Sequence, residues 1–212
     1  MKLLFVTATN TDIGKTYATL RLIEEFSKEG IRVGVCKPIE TGVLNQPLDA
    51  TKLLTKVQKY NKDFQNLQPK DITAYTFPLP ASPFCADKNS LIKIDKIKHK
   101  ITQLSKLCDL LIVEGAGGLM VPITKEYMMI DLAKELNSKL LLVTPSKLGC
   151  INDTLLNIEL LKNRDVDFDW CVNLFQDKEH FAQVTQPFYD VKFPNWWTLQ
   201  KDLRNYIKKF II

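Results

Sequence analysis

The sequence predicts an α/β protein: a doubly wound, mostly parallel β-sheet flanked by helices. Three observations predict it. Five apolar runs of strand length recur along the 212 residues, at 3–8, 31–36, 110–113, 140–144 and 170–175. Amphipathic helical patterns fall between them. The first run leads directly into Ala8-Thr9-Asn10-Thr11-Asp12-Ile13-Gly14-Lys15-Thr16, where glycine, lysine and a hydroxyl residue open a helix. Alternating strands and helices indicate a parallel sheet built by right-handed crossovers. Such crossovers bring the strand ends to one edge, where ligands bind.

Each element follows from its local pattern. Runs 3–8, 110–113 and 140–144 are nearly continuous hydrophobics, as in strands buried on both faces. Run 31–36 is broken by Arg32 and Gly34, which places it nearer an edge. The helix at 16–28 carries Ala18, Leu22, Ile23 and Phe26, and that at 49–60 carries Leu53, Leu54 and Val57. Ile94, Ile97, Ile101, Leu104 and Leu107 form a third stripe; Leu155, Ile158 and Leu161 mark a fourth helix at 151–162. These stripes read as core faces without chemistry. Phe77-Pro78-Leu79-Pro80-Ala81-Ser82-Pro83 reads as a proline-rich loop. Residues 176–197 are weakly periodic and end in Trp196 and Trp197, which either line a base pocket or anchor a last helix from about Thr198. There is no repeat, low-complexity tract or linker, so residues 1–212 read as a single domain.

Composition narrows the function classes. Hydrophobic residues make up 45% and charged residues 25%, which excludes a disordered chain, a collagen or a disulfide-dense miniprotein. Lys+Arg 29 against Asp+Glu 24 gives +5, which suits an enzyme of anionic substrates and is weak support for nucleic-acid binding. The N-terminal apolar run is too short for a signal peptide, and no stretch approaches the roughly 18 apolar residues of a membrane span. A cytoplasmic enzyme with no membrane or nucleic-acid partner is the expectation. The five cysteines are scattered, with no Cys-x-x-Cys, and read as reduced thiols. With only His99 and His180, zinc and histidine chemistry have few candidates, and His99 falls on the polar side of its helix.

The segment 8–16 has the context of a phosphate loop, with backbone N–H groups and a helix N-terminus aimed at phosphates. The fold expectation is therefore P-loop NTPase-like. Thr11, Asp12, Ile13 and Gly14 form the loop, with Tyr17 just inside the helix. Lys15 reaches the β- and γ-phosphates, and Thr16 offers its hydroxyl to Mg²⁺. Ala8 and Thr9 stand where the pattern wants glycine. A positive φ at Ala8 costs about 1 kcal/mol, whereas a negative φ costs nothing.

Leu110-Leu111-Ile112-Val113-Glu114-Gly115-Ala116-Gly117-Gly118 reads as a buried strand ending in an acid, then a glycine-rich turn. An acid there helps organise Mg²⁺, and Gly117 and Gly118 let backbone approach a ligand. Asp49 is either the N-cap of its helix or a second Mg²⁺ ligand. Lys37, in Cys36-Lys37-Pro38-Ile39-Glu40-Thr41-Gly42, reaches the ligand edge, where a cation can stabilise developing charge; spacing alone favours a solvated lysine. Lys147-Leu148-Gly149-Cys150-Ile151-Asn152 is either a carboxylate-binding helix start or a plain junction.

Together these segments resemble the dethiobiotin synthetase family, ATP-dependent enzymes of biotin synthesis. The pieces that carry the resemblance are 9–16, Lys37-Pro38, Thr41-Gly42, Asp49-Ala50, Tyr75-Thr76-Phe77, Ser82-Pro83, 113–118 and 147–152, in the family's order. The resemblance implies a homodimer that closes the ureido ring of dethiobiotin from 7,8-diaminononanoate, CO₂ and ATP, with Mg²⁺ as cofactor. It implies a carbamate, then a carbamic–phosphoric anhydride, then ring closure. Lys15 and Thr16 would position the triphosphate, and Asp49 and Glu114 would join Thr16 at the metal. Lys37 and Thr41 would act on the carbamate and the transferring phosphoryl group. Gly117 and Gly118 would approach nucleotide and substrate. Leu148, Gly149, Cys150, Ile151 and Asn152 would receive the substrate's carboxylate tail from the partner subunit, and Asn173 would meet the base. Asn10 and Asn173-Leu174 depart from the family pattern of Asp and Asn-Asp, which leaves other nucleoside triphosphates open. Two other classes compete: a partner-regulated switch ATPase of the deviant Walker A type, which usually carries a second lysine ahead of Gly14, and a related amide-forming ligase, which normally adds a glutaminase domain.

Overall fold

The structure, a computed structural model, describes residues 2–211. Its centre is a five-stranded, all-parallel sheet in the order β2-β5-β1-β6-β7. β1 (Lys2–Ala8) lies in the middle, between β5 (Leu110–Gly118) and β6 (Lys139–Thr144). β2 (Val33–Cys36) and β7 (Phe168–Val172) form the edges. The polar interruptions at Arg32 and Gly34 thus do mark an edge strand. Arg32 stays outside it and pairs with Asp109 and Asp63.

Leu4, Phe5 and Val6 of β1 and Leu140 to Val143 of β6 are fully buried, as both-face coverage requires. The first six helices are α1 (Lys15–Lys28), α2 (Leu48–Gln58), α3 (Pro83–Ala86), α4 (Ile94–Ser105), α5 (Met129–Glu135) and α6 (Cys150–Asn163). Leu22, Ile23 and Phe26 of α1 and Leu53, Leu54 and Val57 of α2 enter one continuous core. Among the described residues, no helix is long and apolar enough to cross a membrane, and all five cysteines are free.

Three sequence expectations change, and a fourth, left open between two readings, is decided. First, 110–118 is not a short strand followed by a turn: β5 runs through the glycines to Gly118, with a bulge where its register against β1 slips between Val6 and Ala8. Second, 39–42 is not only loop. Ile39–Thr41 (β3) pairs in parallel with Tyr75–Phe77 (β4) in a separate two-stranded sheet. Three-residue strands are too short for a period-2 signal to register. Third, the C-terminal helix, α9 (Leu203–Ile211), starts five residues later than 198, because the Asp202 carboxylate accepts from the Thr198 N–H and hydroxyl in the preceding turn. Fourth, the tryptophans are anchors. Trp197 stacks on Tyr206 at 4.8 Å, and the Trp196 indole donates to Asp190. The weakly periodic stretch folds into α7 (Lys178–Val184) and α8 (Gln186–Lys192), whose Phe181 and Tyr189 build a second small core with Trp196.

Candidate active site

The phosphate loop connects β1 to α1. Ala8 is buried in β1 and paired with both neighbouring strands, and it is not among the positive-φ residues; the missing glycine there carries no backbone strain. Left-handed backbone falls instead at Asp12 (φ 58°) and Gly14 (φ 104°). Gly14 occupies the N-cap of α1, and a Cβ on it would collide with the Asn173 side-chain amide. A glycine is therefore required at 14 and dispensable at 8.

Lys15 is the first residue of α1, and its ammonium donates to the Asn10 carbonyl at 2.9 Å. Burial, reinforced by the nearby Lys37 cation, pushes Lys15 down to about 8. At the next residue, the Thr16 hydroxyl donates to Glu114 Oε1 at 2.9 Å.

Glu114 is fully buried within β5, not at a solvated strand end. Its Oε1 also accepts from Lys37 Nζ at 2.7 Å; Oε2 has no hydrogen-bond partner among the described residues. Lys37 follows β2 directly and is only 3% exposed, so the solvated-lysine reading is excluded. Its ammonium also donates to the Gly115 carbonyl at 3.2 Å and lies 3.4 Å from Asp49 Oδ2. Burial works against the charge on Lys37, but Glu114 and Asp49 outweigh it and lift its pKa above the ordinary lysine value.

Asp49 is not a helix cap. The N-cap position of α2 is Pro47, which offers no side-chain acceptor. The cap comes from β3: Glu40 Oε1 accepts from the Asp49 N–H and Oε2 from the Ala50 N–H, both at 2.9 Å. The Asp49 carboxylate is left to face Lys37.

These groups converge on a cavity of about 670 Å³. Thr11, Asp12, Gly14, Lys15 and Thr16 line one wall, and Lys37, Thr41, Asp49 and Gly117 another. Glu114 lies beneath, behind Lys37 and Thr16. Gly118 packs back on the backbone of Ala8 and Thr9 and does not line the cavity. A second cavity of about 510 Å³ shares the loop and adds Ile13, Tyr17, Lys147, Asn173, Phe175 and Gln176. Asn173 is already committed within the fold. Its Nδ2 donates to the Ile13 carbonyl at 2.9 Å, and its Oδ1 accepts from Gln200 Nε2 at 2.6 Å. The amide thereby braces the phosphate loop.

Leu148, Gly149, Cys150, Ile151 and Asn152 line neither cavity. Leu148 is 74% exposed, and Gly149 and Asn152 are also exposed at the start of α6. Cys150 is buried against Thr185 and Tyr189, a structural position.

Sequence reasoning missed two groups at the site. Glu40 had no clear signal, because Asp49 itself offered a cap in the sequence; only with Pro47 at the N-cap does the helix need an acceptor from elsewhere. Gln200 had none, because its partners Asn173 and Leu174 come from a distant strand end.

Comparisons with known proteins bear on the family and the fold. A family model described as AAA domain matches residues 2–171. The ATP-dependent dethiobiotin synthetase BioD of Sulfurovum sp. (strain NBC37-1) is 57% identical over 98% of this chain and 99% of its own length. The enzyme of the same name from Wolinella succinogenes is 36% identical over 96% of this chain and 95% of its own. Among solved structures, the MinC:MinD cell division protein complex of Aquifex aeolicus matches with TM-score 0.54 at 18% identity, over 99% of this chain and 86% of that one. A plasmid partition protein from Borrelia burgdorferi matches with TM-score 0.54 at 11% identity, over 99% and 94%. At such identities the solved structures share the fold alone. The near full-length sequence matches carry the assignment: with its AAA-type P-loop domain, the chain belongs to the ATP-dependent dethiobiotin synthetase family.

Proposed function

We propose that this chain closes the ureido ring of dethiobiotin from 7,8-diaminononanoate and CO₂ at the expense of ATP. The observation that carries the reading is the buried Lys37–Glu114–Thr16 cluster beside Lys15, facing Asp49 across one cavity. Phosphoryl transfer asks little covalent chemistry of a protein and much positioning and charge neutralisation. Two ammonium groups and a helix N-terminus over an oxygen-rich floor suit that demand.

One substrate amine adds to CO₂ and loses a proton, giving a carbamate. A carbamate oxygen attacks the γ-phosphorus of ATP, and ADP leaves. The second amine then attacks the carbonyl of the mixed anhydride, closing the ring and expelling phosphate. Lys15 holds the triphosphate. Lys37 steadies the carbamate and the equatorial oxygens of the phosphoryl group, and the Thr41 hydroxyl offers a further contact.

The donors fit Mg²⁺. Thr16, Asp49 and Glu114 present only oxygen, and this ion is usually held by one or two carboxylates together with phosphate oxygens. The buried, unpartnered Glu114 Oε2 is an acceptor in want of a cation or of its bound water. When bound, the metal supplies charge neutralisation on the phosphate oxygens.

The exposed Leu148, Gly149 and Asn152, with Leu156 exposed one turn further on α6, fit a surface that meets a second copy and lends its helix start to the partner's substrate carboxylate. The second cavity would take the base. With Asn173 engaged by Ile13 and Gln200, its amide is not free to read the base, which leaves that task to other lining residues such as Gln176 and Lys147.

A coupled assay for ureido-ring formation tests the proposal. Phosphate release should require diamine, bicarbonate, Mg²⁺ and nucleotide together. Release without diamine would favour the switch-ATPase reading, although no second lysine occurs at 8–13. Lys37→Gln should lower turnover far more than nucleotide affinity, because it acts on charge developed late.

A further inference from the structure

We infer that Glu40 is a positioning residue: its carboxylate holds the N-terminus of α2 and thereby aims Asp49 at the metal and Lys37. The inference rests on the placement of Asp49 proposed above.

Glu40 is buried and lines the main cavity, so it first suggests a third acid for metal or proton chemistry. Its hydrogen bonds point elsewhere. One oxygen accepts from the Asp49 N–H and the other from the Ala50 N–H, each at 2.9 Å. These are among the N–H groups that no helical carbonyl satisfies. Pro47 provides no side chain to serve them, and residues 42–47 approach α2 as a largely exposed loop. The helix is fixed further along by Ala50, Leu53 and Leu54 in the core, but its first residues are tied to the site through Glu40.

The consequence falls on Asp49. Its side chain is 37% exposed, and among the described residues its one ion-pair contact is Lys37 at 3.4 Å, longer than a strong charged hydrogen bond. Among the described residues no hydrogen bond reaches its carboxylate, so its aim depends on its backbone, and Glu40 grips that backbone at the Asp49 N–H itself. A negative carboxylate at a helix N-terminus also complements the helix dipole.

The test is a titration of a nonhydrolysable ATP analogue at varied Mg²⁺, which needs no turnover. Glu40→Gln keeps the shape and one carbonyl acceptor; Glu40→Ala removes both. Glu40→Ala should raise the half-saturating Mg²⁺ by about tenfold, in line with other outer-shell partners of metal ligands, and Glu40→Gln by less. Analogue binding without Mg²⁺ should stay unchanged, which a general loss of structure would not allow. In an Asp49→Asn background the same substitutions should change the Mg²⁺ requirement by less than about twofold, because Glu40 acts through Asp49. Equal effects in both backgrounds, or a wild-type Mg²⁺ dependence that Glu40→Ala leaves unmoved, overturn the positioning role alone. Absence of any Mg²⁺ dependence in the unmutated protein overturns the metal placement itself.

Discussion

Replacing Lys37 by methionine should destabilise the nucleotide-free protein sharply. Methionine matches the length of the aliphatic stem but removes the ammonium. Glu114, fully buried, would then keep one hydrogen bond, from Thr16, and would lose the charge 2.7 Å from its Oε1. Its other oxygen already lacks a partner among the described residues. Removing one member of a buried ion pair costs about 3–5 kcal/mol, because the remaining charge stays desolvated and uncompensated. In a chain of this size about 1 kcal/mol moves Tm by roughly 2–4 °C, so the loss corresponds to about 6–20 °C. Urea and thermal unfolding at one fixed protomer concentration, with chelator present, would measure it. Adding Glu114→Gln to the same chain removes the stranded charge and should restore at least about 2 kcal/mol of the loss. A single variant that loses under about 1 kcal/mol, or a double variant no more stable than the single, would refute the buried-pair reasoning.

Three further outcomes follow from the loop and its braces. Burial lowers Lys15 to about 8. Between about pH 8 and its unfolded value near 10.4 the unfolded chain binds more protons, so this group makes the nucleotide-free protein more stable as pH rises through that window. If Lys15 holds the triphosphate as proposed, it does so as the ammonium, so calorimetry in buffers of different ionisation enthalpy should show proton uptake on nucleotide binding above about pH 8; no uptake there would contradict the assignment. Gly14→Ala places a Cβ at φ 104° against Asn173 and should cost at least about 1 kcal/mol, whereas Ala8→Gly should cost about 0.5–1 kcal/mol and relieve nothing; denaturant titration of both checks this. Gln200→Ala frees Asn173 Oδ1 and loosens the loop brace, so affinities for ATP, GTP and CTP should fall by a common factor; a change confined to ATP would show that Asn173 reads the base.

Local signals made the frame legible. Continuous apolar runs marked β1, β5 and β6 because a strand covered on both faces is made mostly of apolar side chains, and Gly14-Lys15-Thr16 after such a strand marked the loop because that junction aims N–H groups at phosphates. What depended on distant partners was not legible. Sequence alone could assign Lys37 to water and Asp49 to a cap; Glu114, brought within 2.7 Å of the lysine by the pairing of β2 with β5, and Glu40, reaching α2 from β3, reversed both readings. Asn173 and Gln200 belong to the same class. The physical reason is that helix and strand periodicity are properties of neighbouring residues. Whether a charge is buried, paired or orphaned depends on what the completed sheet places against it.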